Sequence, residues 1–169
     1  EGGITIQDAA DHARAAVDAG ANAVHVSATS SAGTGLGFTD APIPWHPNQY
    51  ESLARGVKEA VNVPVLAVGR IRPSDAERIL SSGNADFVAM GRQLLADPDL
   101  VRRLDAGRPE LVRPCINCLV CVAQNFWSGQ PVCAVNARLG HYDEPDPLPA
   151  ASPRHVAIIG GGPAGMECA

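Results

Sequence analysis

Hydrophobic residues follow two alternating patterns along roughly the first two thirds of the chain. A helical period covers residues 6–19, where apolar side chains share one face and Gly20 is suited to end the helix. Helices are also predicted over residues 48–61 and 73–82 and on both sides of Pro98. Short, wholly apolar runs separate them and predict strands, at residues 23–27, 63–68 and 85–90. Strands without polar alternation are typical of a parallel sheet covered on both faces.

This order of helices and strands predicts an α/β fold. Three strands cannot close a (β/α)8 barrel, and a complete barrel takes about 250 residues. If the fold is a TIM barrel, the sequence therefore carries only its C-terminal part. The chain also begins without Met and stops at Ala169 in mid-pattern, so we expect a fragment of a longer protein. A long polar stretch over residues 28–47 lacks periodicity and is expected to be a working loop.

The pattern changes after Val112. The following residues have no regular period, and "DEPDPLPAASP" contains four prolines, which indicates an extended linker. A strand and a Gly-rich turn then begin again. We therefore predict four segments: the C-terminal portion of a barrel, a Cys-rich segment, a Pro-rich linker, and the first βα turn of a Rossmann-like domain, over residues 1–112, 113–142, 143–153 and 154–169.

Composition excludes several classes of function. The 169 residues carry a formal net charge of -5 and no basic run, so nucleic acid is not an expected partner. No apolar stretch reaches the ~20 residues that cross a bilayer, and no signal-peptide pattern is present. We expect a cytoplasmic protein that acts on a small molecule. The sequence leaves a homo-oligomer open.

Four of the five cysteines lie close together and predict a metal centre. Cys115, Cys118, Cys121 and Cys133 give the spacing C-x2-C-x2-C-x11-C. Such thiols can hold zinc or an iron–sulfur cluster, whereas disulfides are not expected in an intracellular enzyme. Zinc ribbons usually supply two separated C-x2-C pairs, so three crowded ligands and one distant ligand favour a [4Fe–4S] cluster. Structural zinc stays open as an alternative, and Cys168 is expected to be a small buried residue at the start of a helix.

Two further motifs predict phosphate binding. The turn "VAIIGGGPAG" contains Gly160-x-Gly162-x-x-Gly165 after an apolar run, the pattern of a dinucleotide-binding fold. FAD and NAD(P) cannot be separated on these residues.

The second motif is a repeated Gly-Arg pair. Gly69-Arg70 and Gly91-Arg92 each follow a predicted strand, one βα unit apart. In a barrel, the loops at the carboxyl ends of the last strands commonly bind phosphate. Glycine leaves the backbone N–H groups accessible, and arginine offers a charge-assisted fork.

Taken together, these motifs resemble a known family. The stretch "VPVLAVGRI" to "PCINCLVC", with the later "CAVNARLG" and "VAIIGGGPAG", is similar to the NADH:flavin oxidoreductases of Old Yellow Enzyme type. More narrowly, it resembles the multidomain branch with 2,4-dienoyl-CoA reductase, trimethylamine dehydrogenase and enoate reductases. The resemblance spans essentially the whole chain.

The resemblance implies a set of cofactors and their residues. Arg70 would meet FMN after the seventh barrel strand, and the pair after the eighth strand, Gly91 and Arg92, would cradle its phosphate. The four clustered cysteines would bind a [4Fe–4S] cluster, and the three fingerprint glycines would bind FAD, with NAD(P)H as the electron donor.

One part of the family pattern is missing. Thr39 and Asp40 stand where dienoyl-CoA reductases carry a substrate-contacting His, and His46 comes too late for that position. His25 lies within a predicted strand, where a packed or hydrogen-bonded histidine is favoured over a catalytic one. The catalytic residues are therefore not identified.

The implied function is electron transfer from NAD(P)H. Electrons would pass through FAD and the cluster to FMN, which would reduce an activated alkene such as an enoate or a dienoyl-CoA. Two alternatives stay open: an amine dehydrogenase of the trimethylamine dehydrogenase type, and a structural zinc module without redox activity.

Overall fold

The computed structural model describes residues 3–28, 46–127, 129–141, 145 and 148–168. Its strands are β1 (Val24–Val26), β2 (Val65–Ala67) and β3 (Phe87–Val88). The helices are α1 (Ile6–Asp18), α2 (Glu51–Lys58), α3 (Pro73–Ser81), α4 (Gly91–Ala96), α5 (Leu100–Asp105), α6 (Val120–Trp127) and α7 (Pro163–Cys168). A short 3₁₀ helix covers Pro109–Leu111.

The strands form one parallel sheet in the order β1-β2-β3. Val24 pairs with Val65, and Leu66 pairs with Phe87 in the neighbouring strand. Helices α2 and α3 lie between successive strands along the chain, which is the βαβ arrangement. The predicted parallel α/β architecture is confirmed, with strands shorter than the apolar runs because only paired residues count as strand.

Helix α1 begins and ends as its sequence predicts. The Thr5 backbone N–H donates to Asp8 Oδ2 over 2.8 Å, and the Asp8 N–H donates to Thr5 Oγ1 over 3.2 Å, which completes a capping box. At the other end, Gly20 has φ +106°, a conformation that favours glycine. Ala10 and Ala13 are buried on the inner face.

The core lies between the sheet and helices α1 to α3. Its fully buried members include Ala54, Val65, Ala67 and Ile79. Burying a side chain of the size of Ile79 contributes about 1.5–3 kcal/mol. The helices are therefore held on the sheet mainly by apolar contact.

Two carboxylates tie this frame together. Glu51 of α2 accepts hydrogen bonds from Nη1 and Nη2 of Arg78 in α3, at 2.8 and 2.6 Å. It also accepts one from the Asn84 side-chain amide at 2.7 Å. Asp86, just before β3, accepts Lys58 Nζ at 2.6 Å and the Val65 backbone N–H at 2.8 Å. The second set of bonds fixes the start of β3 against β2.

The structure corrects three sequence-based expectations. The Cys-rich segment contains a helix, α6, although its sequence has no helical period. Residues 153–161 form no strand, because none of the described strands pairs with them and these residues are exposed. Cys168 is exposed and ends α7 instead of lying buried at its start.

Most of the predicted working loop, residues 29–45, lies outside the described residues. Within the described residues, no helix combines the length and apolar character that a bilayer span requires.

Candidate functional site

The two Gly-Arg pairs come together at the carboxyl end of the sheet. Gly69 and Arg70 follow β2, and Gly91 and Arg92 begin α4 shortly after β3. All four line one cavity of about 180 Å³. Because β2 and β3 are parallel neighbours, their carboxyl ends meet at the same edge, as the sequence pattern predicts.

Positive charge is concentrated in this cavity. Burial lowers the pKa of Arg70, and the nearby charges of Arg92 and Arg72 lower it further. Arg70 also has φ +52°, which is uncommon outside glycine and costs of order 1–3 kcal/mol. Two guanidinium groups that repel each other beside a cavity make a suitable environment for an anion such as phosphate.

Tyr50 shapes this edge of the sheet, and sequence reasoning missed it. Its side chain is buried, and a Cβ atom added to Gly69 would lie 2.5 Å from Tyr50 Cδ2. Gly69 also has φ +118°. Glycine is therefore required here by its conformation and by the packing of the Tyr50 ring.

The cysteine segment borders the same cavity. Cys115 and Asn117 line it together with Arg92. The Asn117 backbone N–H donates to Cys115 Sγ at 3.4 Å, and the Asn117 side-chain amide donates to the Cys115 carbonyl at 3.3 Å. Asn117 and Leu119 have φ values of 56° and 61°, so the chain turns back twice between the first three cysteines.

The thiols differ in exposure. Cys115, Cys121 and Cys133 are partly buried, Cys118 is exposed, and all five cysteines are free. Burial raises the pKa of the Cys121 thiol, the nearby Cys115 raises it further, and Arg92 lowers it. The charges of Cys115 and Arg92 therefore both influence the pKa of the Cys121 thiol.

The four predicted cysteine ligands do not converge on one metal position in the described residues. Across the described ranges, no three His, Cys, Asp or Glu side chains are close enough to share a metal ion. A mononuclear zinc site needs four ligands each about 2.3 Å from one ion. A cubane spaces its thiolates farther apart, because each thiolate binds a different iron.

Helix α4 connects the cavity to the cysteine segment through residues that sequence reasoning missed. Gln93 and Asp97 are buried polar residues on this helix and its C-cap. Asp97 accepts the Arg113 backbone N–H at 2.8 Å and the Arg103 side chain at 2.9 Å. The buried Asn136 amide donates to the Leu95 carbonyl at 2.8 Å, which anchors the chain just after Cys133.

The glycine fingerprint forms a tight turn before α7. Gly160 has φ +114°, and a Cβ atom added to Gly165 would lie 2.0 Å from the Gly160 carbonyl oxygen. Among the described residues, no atom beyond the adjacent residues lies within 4 Å of a Cβ built on Gly160 or Gly162. The turn therefore has a close backbone approach at its third glycine and an open backbone at the first two.

The histidine predictions fare differently. His25 lies on β1 and is exposed within the described residues, so its expected packing or hydrogen bonding stays a prediction. It lies on the sheet where no described element covers it. His46 is exposed, and Thr39 and Asp40 lie outside the described residues.

Comparison with known proteins decides the family. The family model for the NADH:flavin oxidoreductase / NADH oxidase family matches residues 2–110. The chain belongs to this family. The match covers the sheet, helices α1 to α5 and both Gly-Arg pairs.

Relatives of this flavin oxidoreductase chain extend the similarity beyond residue 110. The NADH oxidase of Thermoanaerobacter brockii is 37% identical over 180 residues, which cover 100% of this chain and 26% of that protein. The dimethylamine dehydrogenase of Hyphomicrobium sp. (strain x) is 38% identical over 122 residues, 68% of this chain and 17% of that protein.

A solved structure gives the same result for the fold. The complex of 2-naphthoyl-CoA reductase with 2-naphthoyl-CoA superposes with a TM-score of 0.86 at 27% identity. The superposition covers 97% of this chain and 25% of that one. The chain spans 19%, 26% and 27% of the length of three curated relatives that it matches.

Proposed function

We propose that this sequence is part of an iron–sulfur flavoprotein that passes electrons between NAD(P)H and a small organic substrate. The observation that carries the proposal is the shared cavity: Arg70 and Arg92 line it from the strand ends, and Cys115 lines it from the cysteine segment. A flavin phosphate and a redox cluster would thus be neighbours.

The residues around the cavity fit the phosphate of FMN. Arg70 and Arg92 supply charge, and Gly91 leaves open space, since a Cβ atom there would meet no atom of the described part of the chain within 4 Å apart from its neighbouring residues. A dianionic phosphate would also relieve the repulsion that lowers the pKa of Arg70. We therefore assign these residues to binding and orienting FMN.

The four clustered cysteines fit a [4Fe–4S] cluster by their chemistry and surroundings. Thiolates are the usual ligands of such clusters, and N–H donors to the sulfur tune the potential. The Asn117 N–H supplies one such donor to Cys115. When bound, the cluster supplies one-electron transfer and FMN supplies hydride transfer.

The glycine turn fits the dinucleotide role that its spacing predicts. Gly160 and Gly162 present open backbone, and the absent side chain of Gly165 permits the close turn. We assign these three glycines to the ADP part of FAD, with residues 154–169 as the start of that domain.

We propose reduction of an activated alkene as the first candidate reaction, because the cinnamate reductase of Clostridium sporogenes is 37% identical over 67% of this chain. A reductase of 2-naphthoyl-CoA, whose acceptor is a conjugated aromatic thioester, superposes over nearly the whole chain. Amine oxidation is the second candidate, because a dimethylamine dehydrogenase is 38% identical over 68% of the chain.

A pair of assays separates these candidates. The complete protein is purified without oxygen and given NADH or NADPH with cinnamate or 2-naphthoyl-CoA, and separately dimethylamine with a ferricenium acceptor. We expect nicotinamide-dependent reduction of cinnamate or of 2-naphthoyl-CoA. Amine-dependent reduction of ferricenium would favour the second candidate, and a flavin- and iron-loaded protein inactive in both assays would contradict the proposed electron transfer to or from these substrates.

A further inference from the structure

Gln93 is a buried polar residue that engages both of its amide atoms with the cysteine segment. It is 8% exposed and follows Arg92 directly in α4. Its Nε2 donates to the Arg113 carbonyl oxygen at 2.9 Å, and its Oε1 accepts the Cys115 backbone N–H at 2.9 Å. The side chain therefore binds the backbone on both sides of Pro114.

Side chains supply the hydrogen-bond partners that a neighbouring strand would otherwise supply to this backbone. Asp97, one helical turn after Gln93, accepts the Arg113 N–H at 2.8 Å. Gln93 in α4 and Asp97 at its C-cap thus satisfy three backbone polar groups of the segment between Arg113 and Cys115. The three bonds are part-buried, and a polar group that loses its partner away from water costs about 1–3 kcal/mol.

These bonds also decide which N–H group reaches the first thiol. The Cys115 N–H is directed to Gln93, whereas the Asn117 N–H is the one that points to Cys115 Sγ, at 3.4 Å. Hydrogen bonds to cysteine sulfur set the potential of an iron–sulfur cluster. Groups that orient a ligand commonly change metal affinity about 10- to 100-fold when removed.

We propose that Gln93 is a positioning residue that fixes Cys115, as the first ligand of the cluster, beside the cavity lined by Arg92. This inference rests on the proposed function, because it takes Cys115 as a cluster ligand. Gln93 acts through the backbone of that ligand, so its removal should alter the cluster more than the flavin.

The test uses the complete protein, purified without oxygen, with two substitutions. Gln93→Met keeps the length of the side chain but removes both hydrogen bonds. Gln93→Glu keeps the acceptor for the Cys115 N–H and adds a negative charge. Asn84→Leu is the matched control, because it removes a part-buried amide that donates to Glu51 far along the chain from the cysteines. The measurements are the rate of iron loss to bathophenanthroline disulfonate, the EPR spectrum of the reduced cluster, its reduction potential, and the FMN content.

We expect Gln93→Met to lose iron about 10- to 100-fold faster than wild type, with an altered EPR spectrum and unchanged FMN content. Gln93→Glu should lose iron at an intermediate rate and have a lower reduction potential, because a nearby carboxylate opposes an added electron. Asn84→Leu should match wild type in iron loss, spectrum and potential.

Wild-type iron loss and EPR spectrum in Gln93→Met would overturn the proposal. If that variant does not accumulate as folded protein, an unchanged iron-loss rate and potential in Gln93→Glu would overturn it instead. Wild-type protein without iron and sulfide would refute the proposed function, and this inference with it. An iron-loaded wild type with unaffected variants would refute the role of Gln93 alone.

Discussion

At the scale of single residues, the two Gly-Arg pairs differ although the sequence presents them alike. Gly69 has φ +118° and lies against the Tyr50 ring, whereas Gly91 has ordinary φ and open space at its missing Cβ. The repeated motif could be found from the sequence. The contact with Tyr50 could not, because it exists only once α2 packs against the sheet.

Because the two glycines differ in backbone conformation and packing, replacing each with alanine should change the free energy of unfolding differently. Gly69→Ala should lower the free energy of unfolding by at least about 1–3 kcal/mol, since it forces a side chain into the left-handed region and against Tyr50. Gly91→Ala should leave it unchanged or raise it by up to about 1 kcal/mol, since alanine favours a helix. Urea unfolding of both variants checks the prediction, and equal effects would contradict it.

Arg92 allows a direct test of the phosphate assignment. Arg92→Gln should weaken FMN binding to the apoprotein about 10- to 100-fold, because a charge-assisted hydrogen bond contributes about 1.5–3 kcal/mol. Arg102→Gln is the control, since that side chain is 84% exposed on α5. Titration of the apoprotein by FMN fluorescence measures both. The assignment would be wrong if the two variants bound FMN equally well.

The polar residues that hold the cysteine segment also escaped sequence reasoning. Gln93, Asp97 and Asn136 are buried and bind backbone groups far away in the sequence. A polar residue in a helical segment is ordinarily assigned to the exposed face. Only the tertiary structure supplies the backbone partners that make these positions suitable for burial.

At the scale of elements, hydrophobic periodicity predicted α1, α3 and the three strands well. It missed α6 because "VCVAQNFW" is apolar on most of its circumference and gives no clear period. It predicted a strand near residues 154–159 that the structure lacks. An apolar run becomes a strand only where a neighbouring strand completes its hydrogen bonds.

The carboxylates that join these elements predict acid sensitivity. The Lys58 ammonium and the Val65 N–H lower the pKa of Asp86 below its usual 3.8, and Arg78 and Asn84 lower that of Glu51 below its usual 4.5. The ionised forms therefore favour the folded state. Their contribution is complete above the unfolded pKa values and is lost as the pH falls through the folded ones.

Asp86→Asn tests whether stability falls as the pH is lowered because this carboxylate becomes protonated. The wild-type urea midpoint should fall steeply between about pH 5 and about pH 2, and the variant should be less stable at neutral pH with a shallower acid decline. Asp105→Asn, at the exposed end of α5, is the control and should follow wild type. An unchanged acid decline in Asp86→Asn would contradict the role of this carboxylate.

At the scale of the whole molecule, the described sheet is covered unevenly. Helices α1 to α3 cover one face, while His25 is exposed and the Phe87 side chain is 55% exposed. Parallel sheets in proteins are covered on both faces. We propose that the remaining strands and helices of a barrel complete this surface in the larger flavoprotein.

The order of parts along the chain was the strongest prediction from the sequence. No single motif is specific to the family. The Gly-Arg pairs at the strand ends come first, the cysteines follow, and the glycine turn comes last, and this order led to the family assignment. The family model confirms that assignment. Substrate and reaction direction could not be predicted, because they depend on side chains around the flavin ring. The residues that the family pattern points to for substrate contact lie outside the described part of the chain.

We propose that the four thiols bind a [4Fe–4S] cluster next to an FMN phosphate site. The most direct test is iron, acid-labile sulfide and flavin analysis, with an absorption spectrum, of the complete protein purified without oxygen. We predict about four irons and four sulfides per chain, together with flavin bands. The iron and sulfide should be lost from Cys121→Ser but retained in Cys168→Ser, because the exposed Cys168 thiol lies outside the set of four. Zinc without sulfide or flavin would contradict this assignment and make the cysteine segment a structural zinc site.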